Sequence, residues 1–103
     1  MYGTVARLTI KPGKLDELKR VGQEISAQIP GLVSEYVYRT DANPDEIYLV
    51  VIFESEKSYR DNANSPEQHA RYEQFRALLA ADPGWLDGHV VDVFHNAAAT
   101  AHA

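Results

Sequence analysis

The chain has no cysteine, which excludes a disulfide framework, a thiolate nucleophile and a cysteine-ligated metal. Small secreted domains often depend on such staples, so the composition favours the cytoplasm. Basic residues are few as well. Ten Lys and Arg against 15 Asp and Glu give a formal charge of −5, and the cations are scattered instead of forming a stripe, so neither nucleic acid nor an anionic membrane is expected as a partner. No stretch approaches the roughly 18 apolar residues of a membrane span. The opening Met1-Tyr2-Gly3-Thr4 lacks the basic segment and long apolar core of a secretion leader, so the protein reads as soluble. Nothing matches a phosphate-binding glycine loop, a dinucleotide fingerprint, a nucleophile elbow or a zinc-protease helix.

What is present fits one domain. The chain has 103 residues, 45% of them hydrophobic, which suffices for one ordinary core. The β-rich run Tyr2 to Ile10 is broken by Lys11-Pro12-Gly13. Leu15, Leu18, Val21, Ile25 and Ile29 then recur at helical spacing up to Pro30-Gly31. A second strand is expected from Leu32 to Arg39, a turn at Asp41-Ala42-Asn43-Pro44-Asp45, and a third strand from Glu46 to Phe53. A short helical turn is expected around Ser55 to Asp61. Ser65 and Pro66 then open a long helix, with Gln68 closing a capping box on Ser65. His69, Tyr72, Phe75 or Arg76, and Leu79 run down one side of that helix until Asp82-Pro83-Gly84 stops it. A last strand is expected from His89 to Phe94. Residues 1–95 therefore form the domain, and 96–103 form a frayed tail.

The order β-α-β-β-α-β is that of a ferredoxin-like α+β domain, with helices on one face of an antiparallel sheet. One strand asks for more than this. Ile47, Leu49, Val51 and Phe53 make one face apolar, and Tyr48, Val50 and Ile52 make the other apolar too, whereas a sheet with one wet face alternates. Helices cover one face only. The other is expected to be covered by a second copy of the chain, sheet against sheet.

Lys11-Pro12-Gly13-Lys14, Ile29-Pro30-Gly31-Leu32, the strand Ile47 to Glu54 and Ser65-Pro66 through His69 occur in an order and spacing that resembles the antibiotic biosynthesis monooxygenase superfamily of dimeric α+β barrels. Phe53-Glu54-Ser55 followed by Tyr59-Arg60 looks like the segment of the cofactor-independent branch, which oxidises anthrone-like substrates with O2 and no flavin or metal. In that branch a tryptophan stands at the place of Phe53 and an asparagine at that of Leu49. The resemblance implies a cofactor-free oxidation of a small aromatic or quinol-type molecule, with Tyr59 as a substrate-binding tyrosine. The superfamily also contains haem-degrading enzymes. Their asparagine, tryptophan and proximal histidine positions look like Ala6, Asn62 and Tyr72 here, with His69 one turn from Tyr72.

Such chemistry needs an enclosing apolar cavity, a base, and hydrogen bonds to the developing phenolate or enolate. His69 and Tyr59 are the catalytic candidates, His69 because histidine ordinarily titrates near neutrality. Tyr72, Phe53, Asn62 and Trp85 are the substrate-binding candidates. Each has a structural alternative: a solvated helix histidine, a core aromatic with its hydroxyl at the edge, a turn asparagine, or a tryptophan packing across a dimer. No metal is expected, since in a strand His89 and His95 of His89-x-x-Asp92-x-x-His95 stand about 20 Å apart. A rival reading is a non-catalytic dimeric barrel that binds a small hydrophobic metabolite, because sites and not folds carry function.

Overall fold

In the computed structural model, which describes residues 1–97, alternation along the first strand builds the core floor. Strand β1 (Tyr2–Thr9) buries Tyr2, Thr4, Ala6 and Leu8 on one face. Helix α1 (Leu15–Ser26) follows Pro12-Gly13 and buries Leu18 and Val21 against that face. Strands β2 (Leu32–Arg39) and β3 (Glu46–Phe53) form the expected hairpin. Helices α2 (Glu56–Ala63) and α3 (Pro66–Arg76) come next, and β4 (Gly84–His89) closes the sheet in the order β2-β3-β1-β4, antiparallel throughout. This is the ferredoxin-like α+β arrangement.

Gly31 joins α1 to β2 at φ +80°, where side chains strain, and a Cβ there would sit 2.7 Å from Ser58 Cβ. Glycine is thus needed for both conformation and space. The Gly31 carbonyl accepts from Glu54 N at 2.9 Å, so the turn after α1 is held to the strand exit that leads into α2. Helix α2 starts on a closed capping box: Ser55 accepts from Ser58 N, and Ser58 Oγ accepts from Ser55 N.

Several expectations are corrected. The last strand is Gly84–His89, not His89 to Phe94. The chain leaves α3 beside the far end of β1, where Ile10 bridges Leu79 and Ala80 N donates to Thr9 O. It must then run back along β1 at once, from Gly84 opposite Arg7 to His89 opposite Tyr2. Beyond Val90, whose N–H reaches Met1 O, β1 offers no further rung. The β-branched run 90–94 is therefore outside the sheet, with Val91 and Phe94 exposed. The strand premise for separating His89 from His95 falls with it. Second, α3 ends at Arg76, well before Asp82-Pro83-Gly84; Leu78 and Leu79 donate back to Phe75 and Arg76 in a tight turn that drops both leucines into the core. Likewise α1 ends at Ser26 and not at Ile29. Third, Gln68 does not close a capping box. Ser65 Oγ accepts from Gln68 N as expected, but Ser65 N is taken by the Asn62 carbonyl. Of the tail expected from Asn96, residues 98–103 lie outside the described residues.

The core gathers Ala6, Leu8, Ile10, Leu18, Val21, Ile47, Leu78 and Leu79 between sheet and helices. On the opposite sheet face, Tyr36, Tyr38 and Leu86 are exposed, and Val5, Tyr48, Val50 and Ile52 are only half-buried.

Candidate functional site

The two sides of the sheet differ in what they carry. On the helix side, Leu49, Val51 and Phe53 of β3, Trp85 and Asp87 of β4 and Thr4 of β1 line a cleft of about 790 Å³, within the range of small-molecule sites. The side chains proposed from the sequence, Phe53, Tyr59, Asn62, His69, Tyr72 and Trp85, all line it. They come from β3, α2, α3 and β4, so the fold brings separate segments to one space. A second cavity of about 580 Å³ adjoins it, and Glu35, Ser26, Gly22, Leu49 and Phe75 border both.

Tyr59 stands at the centre of a fixed network. Its ring meets Phe53 and Tyr2 edge-on, at 5.4 and 5.2 Å between centroids. Its hydroxyl donates to Asp87 Oδ1 at 2.7 Å. Burial, followed by the bond to Asp87 and the charge of that carboxylate, pushes the phenol pKa up to about 12; the nearby Thr4 hydroxyl and then the Arg60 charge act the other way. Tyr59 is therefore a neutral phenol at physiological pH and no source of phenolate. Arg60 is engaged as well. It donates to Tyr2 Oη at 2.8 Å, lies 3.6 Å from both Asp87 and Glu56, and stands over the Tyr2 and Tyr59 rings at 5.4 Å. An anionic ligand would have to displace these partners.

Tyr72 and Trp85 form an aromatic wall, with rings 6.3 Å apart and tilted by 49°. Trp85 pairs with Ala6 on the helix-facing side of β4 and stays half exposed. It does not face the open side of the sheet, so it is not placed to pack across a sheet-to-sheet dimer. His69, one turn before Tyr72, is exposed to solvent at the cleft and makes no side-chain hydrogen bond or ion pair among the described residues. Asn62 is half-buried in the last turn of α2, and so is a helix residue and not a turn asparagine.

Polar residues of the lining that were not among the sequence candidates include Thr4, Glu35, Gln68 and Asp87. Glu35 accepts from Ser26 Oγ, and burial outweighs that bond and raises its carboxyl pKa. Its helix-side position was readable from parity with Val37, but its burial was not. Thr4 is 4% exposed, and Thr4 Oγ1 and Gln68 Oε1 are buried without a hydrogen-bond partner. Ala6 is fully buried in the core. Among the described residues no group of three His, Asp or Glu is arranged to hold a metal ion.

A family model for antibiotic biosynthesis monooxygenases matches residues 1–74. Solved structures with the same fold include SnoaB, a cofactor-independent oxygenase from Streptomyces nogalater, at TM-score 0.73 and 16% identity over 92% of this chain and 97% of that one. A Deinococcus radiodurans protein assigned to the antibiotic biosynthesis monooxygenases aligns at TM-score 0.73 and 11% identity, over 93% and 98% of the two chains. One from Chloroflexus aurantiacus J-10-fl aligns at 0.66 and 24%, over 88% and 98%. Curated protein sequences gave no significant match.

Proposed function

Since the chain belongs to the antibiotic biosynthesis monooxygenase family, we propose that it is a cofactor-independent, monooxygenase-like enzyme of the cytoplasm that oxidises a small aromatic or quinol-type molecule with O2. The observation that carries this reading is the convergence of His69, Asn62 and an aromatic wall on one cleft of small-molecule size. Phe53, Tyr72 and Trp85 hold a flat ring. His69 has an imidazole free to take a proton from the activated C–H or O–H of the substrate. The resulting carbanion or phenolate gives an electron to O2, the pair combines to a peroxide, and the peroxide loses water to leave a carbonyl.

For an anthrone the balance is C14H10O + O2 → C14H8O2 + H2O. The methylene carbon is oxidised, one oxygen atom enters the product and the other leaves as water, so the substrate itself supplies the electrons. The protein contributes position and polarity. Tyr59 serves here through its hydroxyl lone pairs and its hold on Asp87, and not as a base.

The catalytic unit is a homodimer. The face carrying Tyr36, Tyr38, Val50, Ile52 and Leu86 is left open by a single chain, and a second copy brings a matching apolar face by symmetry. A non-catalytic barrel that only binds its metabolite is the alternative, and the engagement of Tyr59 with Asp87 favours it to the extent that it removes one candidate catalyst. Incubation with an anthrone under ¹⁸O2 separates the two. The enzyme yields quinone carrying one ¹⁸O atom faster than the spontaneous reaction; a binder yields quinone at the spontaneous rate.

A further inference from the structure

We propose that Glu35 is a second catalytic group of the cleft, a general acid that gives its carboxyl proton to the peroxide oxygen leaving as water. The inference rests on the reading of the cleft as an oxygenase site, and it assigns the step of that reaction in which His69 cannot serve alone.

The need comes from the chemistry. His69 takes the first C–H proton, O2 adds, and His69 returns that proton to the peroxide anion. The hydroperoxide still carries one hydrogen on the reacting carbon. A base removes it, the C–H electron pair forms the C=O bond, and the O–O bond breaks with its electron pair going to the distal oxygen. That oxygen leaves as water when it receives a proton in the same step. One imidazole cannot be base at carbon and acid at oxygen together, so the acid is a different group. Afterwards His69 passes the second C–H proton to Glu35 through solvent, and both groups are restored.

The lining offers few donors. Tyr59 already gives its proton to Asp87, and Asp87 is occupied by Tyr59 and Arg60. Arg60 and Arg71 carry guanidinium groups, which do not release a proton, and Glu73 is exposed to solvent. Glu35 differs on each count. It is half-buried on the helix-facing side of β2, where it borders both the cleft and the second cavity. It ends a rung of the sheet floor that runs Glu35, Val51, Thr4, Asp87, which places it about 14 Å from Asp87 at the ordinary spacing of strands. That exceeds the screening length of physiological salt, so the two carboxyl groups act independently.

Its surroundings hold one oxygen and leave room at the other. Ser26 Oγ donates to Glu35 Oε2. On the other side stands Gly22, where a Cβ would have Glu35 Oε1 as its nearest neighbour outside the helix, at 3.6 Å. The missing side chain leaves space beside Oε1. No cation pairs with Glu35 among the described residues: Lys19 and Arg39 border the second cavity, with Lys19 3.9 Å from Asp16, and His69, Arg71 and Glu73 face the cleft from α3. Burial raises the carboxyl pKa toward working pH, where a proton donor is most effective.

The test follows a single turnover of anthrone by excess protein, with oxygen uptake, hydroperoxide and quinone measured side by side across a range of pH. Glu35→Gln keeps the size of the side chain and an acceptor for Ser26, and it removes the acidic proton. It is expected to form quinone about a hundredfold more slowly than wild type, with a hydroperoxide accumulating after oxygen has been taken up. Wild-type quinone formation is expected to slow as pH rises through the raised Glu35 pKa, a limb that Glu35→Gln lacks and Glu35→Asp restores in part. Quinone formed by Glu35→Gln at the wild-type rate overturns the assignment and leaves the oxygenase reading standing. An equal slowing of oxygen uptake and quinone formation, with no hydroperoxide, also overturns it, because it marks a disturbed cleft. A wild-type protein that takes up no oxygen above the spontaneous rate overturns the oxygenase reading and this inference with it.

Discussion

The Tyr59 hydroxyl of α2 donates to Asp87 Oδ1 of β4 across 2.7 Å, tying the strand-exit helix to the edge strand of the sheet. The bond joins residues 28 positions apart in the chain and defines one side of the cleft. The Phe53 ring on one flank and the Tyr2 ring on the other leave the phenol few alternatives.

Removing that hydroxyl should be felt in stability and in alkaline titration. Tyr59→Phe is expected to lose about 1 kcal/mol, a hydrogen bond to a charged group reduced by solvent screening, as measured by denaturant unfolding near pH 8. The sign of the pH dependence follows from a folded pKa of about 12 against the ordinary value of 10. The folded state holds this proton more tightly, so the contribution is complete below about pH 10 and disappears as pH climbs through about 12. Ultraviolet difference titration of wild type against Tyr59→Phe should show one phenol ionising near 12. A phenol titrating near 10 would break the assignment.

Glu35 should behave in the opposite way from a salt-bridged acid. Burial raises its carboxyl pKa despite the bond from Ser26, so the charged form is the unfavourable one in the folded state. The folded state gains relative to the unfolded chain as pH falls, and that gain is lost as pH rises through the raised pKa. Glu35→Gln is therefore expected to unfold at a higher temperature than wild type at pH 7, with the difference closing below the ordinary glutamate range near pH 4. A Glu35→Gln protein that is less stable at pH 7 and equal at pH 4 would contradict this.

The open sheet face gives a third expectation. Val50 is half-buried in a single chain, flanked by Val5 and Tyr36 in the sheet. In a sheet-to-sheet dimer it is fully covered, and Val50→Asp buries a charge with no partner. Sedimentation velocity should show a wild-type dimer at micromolar concentration and a largely monomeric Val50→Asp protein. A wild-type monomer would remove the sheet-to-sheet partner from the account.

Much of this architecture was legible because it rests on local rules. The unbroken apolar run Ile47 to Phe53 located β3 and revealed both of its apolar faces, and Pro30-Gly31 set the end of the first helical segment to within a few residues. The cleft residues were legible by two routes: His69 and Tyr72 share one side of a helix by spacing, whereas Phe53, Tyr59 and Asn62 were marked by the strand exit and the family resemblance. The misreadings came where a nonlocal partner overruled a local preference. The run 89–94 is richer in β-branched residues than 84–89, but β1 has rungs only for the latter. That error hid Asp87, and with it the partner of Tyr59. Gln68 was assigned to a capping box that Asn62 occupies instead, and the burial of Thr4 and Glu35 depends on helices packed from elsewhere in the chain.

The central claim, cofactor-free oxidation in this cleft, is tested most directly with an oxygen electrode. Purified protein is given an anthrone in the presence of a chelator and without flavin, beside the His69→Ala protein. Oxygen consumption well above the spontaneous rate, falling at least about a hundredfold in the variant as loss of a general base requires, is the predicted result. Consumption equal to buffer, or a rate unchanged by the substitution, would contradict the account.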